Sequence, residues 1–207
     1  MKRSTLQLLF AAIGFVAGDA MAQQSAAETP WLVRVRAVRI SPANESAPIG
    51  GIGAADRLHV SDKTIPELDV SYFFTPNLAA ELVLTYPQKH DVTLDGANIG
   101  SFKHLPPTLS AQYHFMPEAT VSPYLGAGVN YTTMSKVNLL NGAASLEHDS
   151  VGLSLQAGVD FRLDPHWSVN VDVKKVQIRS DVIIAGARAS NVKVDPVLFG
   201  IGLGYRF

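Results

Sequence analysis

The chain closes on Gly200-Ile201-Gly202-Leu203-Gly204-Tyr205-Arg206-Phe207, where every second side chain is large and apolar. Phe199, Ile201, Leu203, Tyr205 and Phe207 fall on one face of an extended strand. Gly200, Gly202, Gly204 and Arg206 fall on the other, because successive strand side chains point to opposite sides. A strand so one-sided, ending on an aromatic, suits a wall with lipid outside and small or polar groups inside.

The opposite end agrees. Lys2 and Arg3 precede an apolar stretch over 6–18, and Ala20-Met21-Ala22 is a small-x-small cleavage pattern. This predicts a secretory signal peptide over 1–22 and a single mature domain over 23–207. Loss of Lys2, Arg3 and Asp19 would move the formal charge from −1 to −2, so no basic excess points to nucleic acid. With no cysteine, disulfides and thiolate zinc sites are ruled out. No mature stretch reaches the ~18 consecutive apolar residues of a membrane helix. Yet 47% of residues are hydrophobic and only 17% charged, so the apolar residues must be spent in alternation.

Eight segments alternate: 31–40, 64–74, 78–86, 105–115, 123–132, 150–161, 166–178 and 193–207. In the first, Trp31, Val33, Val35 and Ala37 oppose Arg34 and Arg36; in the third, Leu78, Ala80, Leu82, Leu84 and Tyr86 oppose Glu81. The connections 75–77, 116–122 and 162–166 are short, whereas 41–63, 87–104, 133–149 and 179–192 are long. Short turns at one end and long loops at the other mark outer-membrane barrels. The expected fold is therefore all-β, an eight-stranded antiparallel transmembrane barrel with both termini in the periplasm. Trp31, Phe74, Phe115, Phe161, Trp167 and Phe207 would form an aromatic girdle at the turn end. A soluble β-sandwich also alternates, but it explains neither the leader nor the loop rhythm.

In lipid the apolar face must point out, so the polar face points into the barrel. Arg34, Arg36, Glu67, Asp69 and Glu81 are expected to form a polar plug, with Gln112, Asp160, Asp172, Lys174 and Arg206 also inward. An eight-stranded barrel has room for little more than its own side chains. Charges there should pair across the lumen, since a lone buried charge is costly. The inward apolar residues Leu32, Val38, Ile65, Phe73, Val83 and Leu198 are candidates for lining a ligand lumen.

Several segments resemble the OmpW family of outer-membrane proteins. They are Lys103-His104-Leu105-Pro106-Pro107-Thr108-Leu109-Ser110-Ala111-Gln112-Tyr113-His114-Phe115, Pro123-Tyr124-Leu125-Gly126-Ala127-Gly128-Val129-Asn130-Tyr131-Thr132, Asp172-Val173-Lys174-Lys175-Val176, Val194-Asp195-Pro196 and the final Gly-Tyr-Arg-Phe. The resemblance covers nearly all of 23–207 and is thin in the long loops. It implies an integral outer-membrane protein of a Gram-negative bacterium, set in lipid and lipopolysaccharide. It also implies a narrow, largely hydrophobic lumen through which small hydrophobic molecules pass, and a link to stress adaptation. Phe207 would be read by the barrel-assembly machinery. The alternative role is a structural or receptor barrel whose outer loops dock phage or bacteriocins.

Proline adds a physical clue, because it cannot donate to a strand ladder. Pro66, Pro106, Pro107 and Pro196 lie at strand ends on the loop side, a candidate seam for lateral exit into lipid. Catalysis is the weaker rival. His166-Trp167-Ser168 looks superficially like the His-x-Ser of lipid A deacylases, but it sits at a short turn and no acid follows to orient the histidine. No catalytic residue and no cofactor is expected. His59, His90, His104 and His148 fall in or beside long loops without metal-ligand spacing, so they read as solvated or structural.

Overall fold

A computed structural model of the protein describes residues 29–207, so the signal peptide expected over 1–22 lies outside the described residues. Eight strands form the wall: β1 (Trp31–Ser41), β2 (Lys63–Phe73), β3 (Leu78–Leu84), β4 (Thr108–His114), β5 (Val121–Leu139), β6 (Asp149–Arg162), β7 (Trp167–Val176) and β8 (Val197–Arg206). Each pairs antiparallel with its chain neighbour, and β8 returns to β1 from Leu32–Arg206 up to Ser41–Val197. The barrel is thus closed by the β8–β1 pairing and has no terminal edge strand, the condition for strands in lipid. At the closing point the Thr29 N–H donates to the Phe207 carbonyl at 2.8 Å.

Alternation sorts the side chains as the sequence suggests. Val35, Leu82, Leu125, Leu155, Val171 and Ile201 face outward and are exposed, while Arg34, Glu81, Gln112 and Asn170 face inward and are buried. At the turn end the outward aromatics touch edge-on in runs: Trp31–Tyr72–Phe74, Tyr113–Phe115 and Trp167–Tyr205–Phe207, with centroids 4.9–5.3 Å apart. This arrangement fits an interfacial belt.

Two glycines let the wall and the lumen fill tightly. A Cβ on Gly202 would sit 2.0 Å from the Val35 carbonyl oxygen, so the closing β1–β8 approach needs glycine there. A Cβ on Gly158 would sit 2.4 Å from the Tyr124 ring, which occupies the space glycine leaves.

The four long connections differ from the sequence reading. Three of them, 87–104, 133–149 and 179–192, are largely β-structure that carries the wall upward, whereas 41–63 holds only the short strands Glu45–Ser46 and Leu58–Val60. Gln88–Leu94 pairs with Ala97–Leu105 through an Asp95-Gly96 turn, and Arg179–Ile184 pairs with Ala187–Lys193 through Ala185-Gly186. Both turns have positive φ at both central residues, which matches the twist of a two-residue hairpin. β5 runs 19 residues, well past the 123–132 expected. At strand rise that is roughly 60 Å along the strand, against a hydrocarbon core of about 30 Å. Conversely, the segment expected over 105–115 starts at Thr108, because Pro106 and Pro107 have no N–H for a ladder.

Candidate functional site: a stratified lumen

The lumen is layered. At its floor Leu32, Phe73 and Ala79 pack together at the turn end, with the Arg206 guanidinium 4.3 Å above the Phe73 ring centroid. Above them lies a charged layer. Arg34 reaches Asp160 at 2.7 Å, Asp69 at 3.3 Å and Glu81 at 3.8 Å. Arg36 reaches Glu67 at 2.7 Å, Asp69 at 3.0 Å, and Glu81 and Asp172 at 3.6 Å. Lys174 reaches Glu81 at 3.0 Å.

All five residues expected to form the plug are brought together here, and Asp160, Asp172 and Lys174 join them. Neutral groups add further bonds. Gln112 donates to Glu81 at 2.7 Å, Tyr124 donates to Asp172 at 2.9 Å, and Asn170 donates to Asp160 at 2.9 Å. The two arginines come from adjacent inward positions of β1, and their anions arrive from β2, β3, β6 and β7. This is a cross-lumen network in which both arginines, Asp69, Glu81, Asp160 and Asp172 each have several partners, while Glu67 rests on Arg36 and Lys174 on Glu81; pairing is the condition under which buried charge is tolerated.

Above the charges the lumen turns apolar. Val38, Ile40 and Ile65 pack with Leu198, and Val83 stands beside Ile65 and Leu198 in the wall of a small cavity of about 20 Å³. Of the six apolar residues read as lining a ligand lumen, four therefore sit above the charged layer, and Leu32 and Phe73 sit below it.

Higher still, inside the wall made by the upper hairpins, is a larger cavity of about 100 Å³. Val60, Val92, Phe102, Met134, Leu146, Val182 and Val192 are among its lining, and Ser180 and Ser190 are the only hydroxyl-bearing lining residues. Both hydroxyls are occupied, on the Glu147 and Ala47 carbonyls. Sequence reasoning missed this cavity because its walls lie in segments taken as loops. The Asp95-Gly96 pair between two alternating runs was the signal that could have found one wall.

His90 and His104, read from the sequence as solvated or structural, are placed inside the wall. Both are buried, and their rings stack at 4.7 Å between centroids, with Phe102 at 6.1 Å from His90. Burial holds the His90 ring below its ordinary pKa, the Ser61 carbonyl bond opposing only in part.

The wall is not uniformly sealed at the level of the small cavity. The β2–β3 ladder stops at Leu68–Leu84, whereas β2 stays paired with β1 up to Ile40–Lys63. Lys63–Glu67 thus form a ladder on one side only among the described residues. Pro66 lies in this stretch, and Pro106 lines the cavity behind it together with Ile65, Val83 and Thr85. The other prolines are stitched in. The Pro107 carbonyl accepts from the Tyr131 N–H at 3.1 Å, and the Pro196 carbonyl accepts from the Val176 N–H at 3.1 Å.

His166 lies at the short turn, with Nδ1–H donating to the Arg206 carbonyl at 2.9 Å and its ring stacked on Tyr205. Among the described residues no cluster of three or more His, Cys, Asp or Glu suits a metal.

Comparison with known proteins places this architecture. Residues 27–207 match the sequence profile of the OmpW family. The uncharacterized outer-membrane protein y4mB of Sinorhizobium fredii is 42% identical over 186 residues, covering 86% of this chain and 80% of that protein. A Pseudomonas aeruginosa relative, the dibenzothiophene metabolism operon protein PahQ, is 25% identical over 194 residues, covering 88% and 90%. The crystal structure of the outer membrane protein OprG from Pseudomonas aeruginosa superposes with a TM-score of 0.77 at 28% identity, covering 87% of this chain and 97% of that one. A closed eight-stranded wall, an apolar exterior and a match over the whole described chain lead to one conclusion: the protein is an integral outer-membrane β-barrel and belongs to the OmpW family.

Proposed function

We propose that this barrel carries small hydrophobic molecules across the outer membrane without opening a water-filled path, and without catalysis. The observation that carries the reading is the order of the layers. An apolar cavity opens at the loop end, a dense charge network blocks the way down, and the one-sided stretch of β2 lies at the boundary between them. A molecule entering from the loop end cannot cross the charged layer cheaply, because doing so would separate ions that have exchanged their water for one another. The lateral route past Pro66 and Pro106 breaks no ladder. Pro196 is a poorer exit, since its carbonyl is bonded across the wall.

In this reading the loop end faces outward, both termini are periplasmic, a leader over 1–22 is removed, and Phe207 engages the assembly machinery. The name of the Pseudomonas relative, which ties that protein to metabolism of an apolar aromatic, supports an apolar cargo. A purely structural or receptor barrel, read by its loops, is the competing role.

The test is reconstitution in liposomes. Uptake of a small apolar compound should exceed that of empty vesicles, with no steady ionic conductance. A bifunctional maleimide joining Thr64→Cys and Tyr86→Cys, in a chain with no other cysteine, should slow uptake while leaving the barrel folded. Unchanged uptake after verified cross-linking would exclude the lateral route, and large ionic currents would exclude the closed layer.

A further inference from the structure

Gln88 and His90 alternate with Val92 on the inward face of one upper strand, and His104 and Phe102 share that face on its partner. Val92 and Phe102 line the large apolar cavity, and His104 lines the small one beneath it. The Phe102–His90–His104 stack therefore joins the two cavities. Gln88, His90 and His104 are each at most 1% exposed, so nothing they lack can be supplied by bulk solvent.

Their hydrogen-bonding capacity is unevenly used. The His90 Nδ1 lies 2.8 Å from the Ser61 carbonyl oxygen, which can only accept. The ring proton of the neutral imidazole is thereby fixed on Nδ1, and Nε2 is left as an acceptor. The Gln88 amide nitrogen donates to the Tyr86 carbonyl at 2.9 Å, which leaves its Oε1 as an acceptor. Nε2 of His90, Oε1 of Gln88 and Nδ1 of His104 are all buried and make no hydrogen bond within the protein. Buried polar atoms are normally paired, and leaving one bare costs far more than a single made bond returns. Two of these three atoms are acceptors by the assignment above.

We infer that Gln88, His90 and His104 form a polar shelf between the two cavities that selects apolar molecules carrying one hydroxyl, an alcohol or phenol, over hydrocarbons and ethers of the same size. The hydroxyl proton is given to His90 Nε2 or Gln88 Oε1, and the hydroxyl oxygen can accept from His104 when its proton is on Nδ1. A carboxylate, which brings only acceptors, is disfavoured by the same atoms. This rests on the proposed carriage of hydrophobic molecules, and it adds a chemical class to that cargo.

The test uses the full barrel in lipid nanodiscs, with binding to empty nanodiscs subtracted. The probes are radiolabelled 1-octanol and its isomer methyl heptyl ether, which differ in having or lacking a donor. We expect 1-octanol to bind about tenfold more tightly, the factor one buried hydrogen bond supplies. His90→Phe keeps an aromatic ring in the stack and should remove that preference by weakening 1-octanol alone. Gln88→Met should reduce it independently and serves if the first variant does not fold. Equal binding of both probes to the wild type, with both lost in a cavity-filled Val182→Trp variant, would overturn the shelf and leave hydrophobic carriage intact. The acceptors would then be served by water. Binding of neither probe would overturn both readings.

Discussion

The lower and upper lumen of this barrel are built by the same alternation and filled by opposite chemistry. Below, two arginines and a lysine meet five carboxylates in direct ion pairs across the lumen. Above, aliphatic side chains surround a cavity, and at its base buried polar atoms of Thr85, Gln88, His90 and His104 stay bare with no ion among them. The contrast teaches that a narrow barrel need not be uniformly plugged. Charge can be confined to one layer, where ion pairs hold it, so the rest of the interior keeps an apolar cavity.

Substitutions can break this contrast. The largest effect is expected in the lower layer. Arg36→Met removes the cation that Glu67, Asp69, Glu81 and Asp172 share, and should cost ~3–5 kcal/mol, because the anions stay buried with too few partners. Urea unfolding in micelles measures it. A cost below that of the upper substitution that follows would mean the layer is not the structural keystone. Leu146→Ala, in the wall of the large cavity, should cost about 2 kcal/mol, the low end for such a truncation, since the space around it is already open. Uptake should persist or extend to bulkier compounds, and a lost fold would show that the upper lumen is as tightly determined as the lower.

The smallest effect lies at the rim. The Arg57 guanidinium hydrogen-bonds the Asp95 carboxylate and holds its pKa below the ordinary 3.8. A lowered folded pKa means that this tie is fully present above 3.8 and is lost as pH falls through the lower value. Hydrogen-exchange protection factors, which divide out the pH dependence of the intrinsic rate, should therefore fall on acidification at Leu58–Val60 and at the Asp95 turn, without global unfolding. Asp95→Asn should show the low protection there at every pH.

How legible the two halves were in the sequence follows from the same contrast. The lower layer could be read directly, because Arg34 and Arg36, Glu67 and Asp69, and Glu81 interrupt long apolar alternations at every second position, a pattern with few explanations in lipid. The upper half was read as loops. Its strands alternate weakly, polar residues such as Lys89, Asp91 and Lys103 face water on their outer side, and bulges interrupt the register between Val92 and Thr93 and between Val182 and Ile183. For that reason the sequence could not decide whether His90 and His104 were solvated or structural, since only the hairpin places them inside. Ala185-Gly186 carries no strong turn signal, so its positive φ values are imposed by the paired strands around it.

The charged layer also bears on how the chain reaches this form. Arg34 and Arg36 stand in the first strand to be synthesised, while Asp160 and Asp172 stand in the sixth and seventh, more than 120 residues later, at 126 for Arg34 and Asp160. Until those late strands arrive, the early ones hold two cations against Glu67, Asp69 and Glu81, and Lys174 is still missing as the counterpart of Glu81. Half a barrel in a bilayer would thus present charge to hydrocarbon on its concave side as well as an open edge. Both penalties disappear in one event, when β8 meets β1. The network thus couples the last strand pairing to the enclosure of the first strand's ions: a partial barrel leaves them facing hydrocarbon, and closure surrounds them with all their partners.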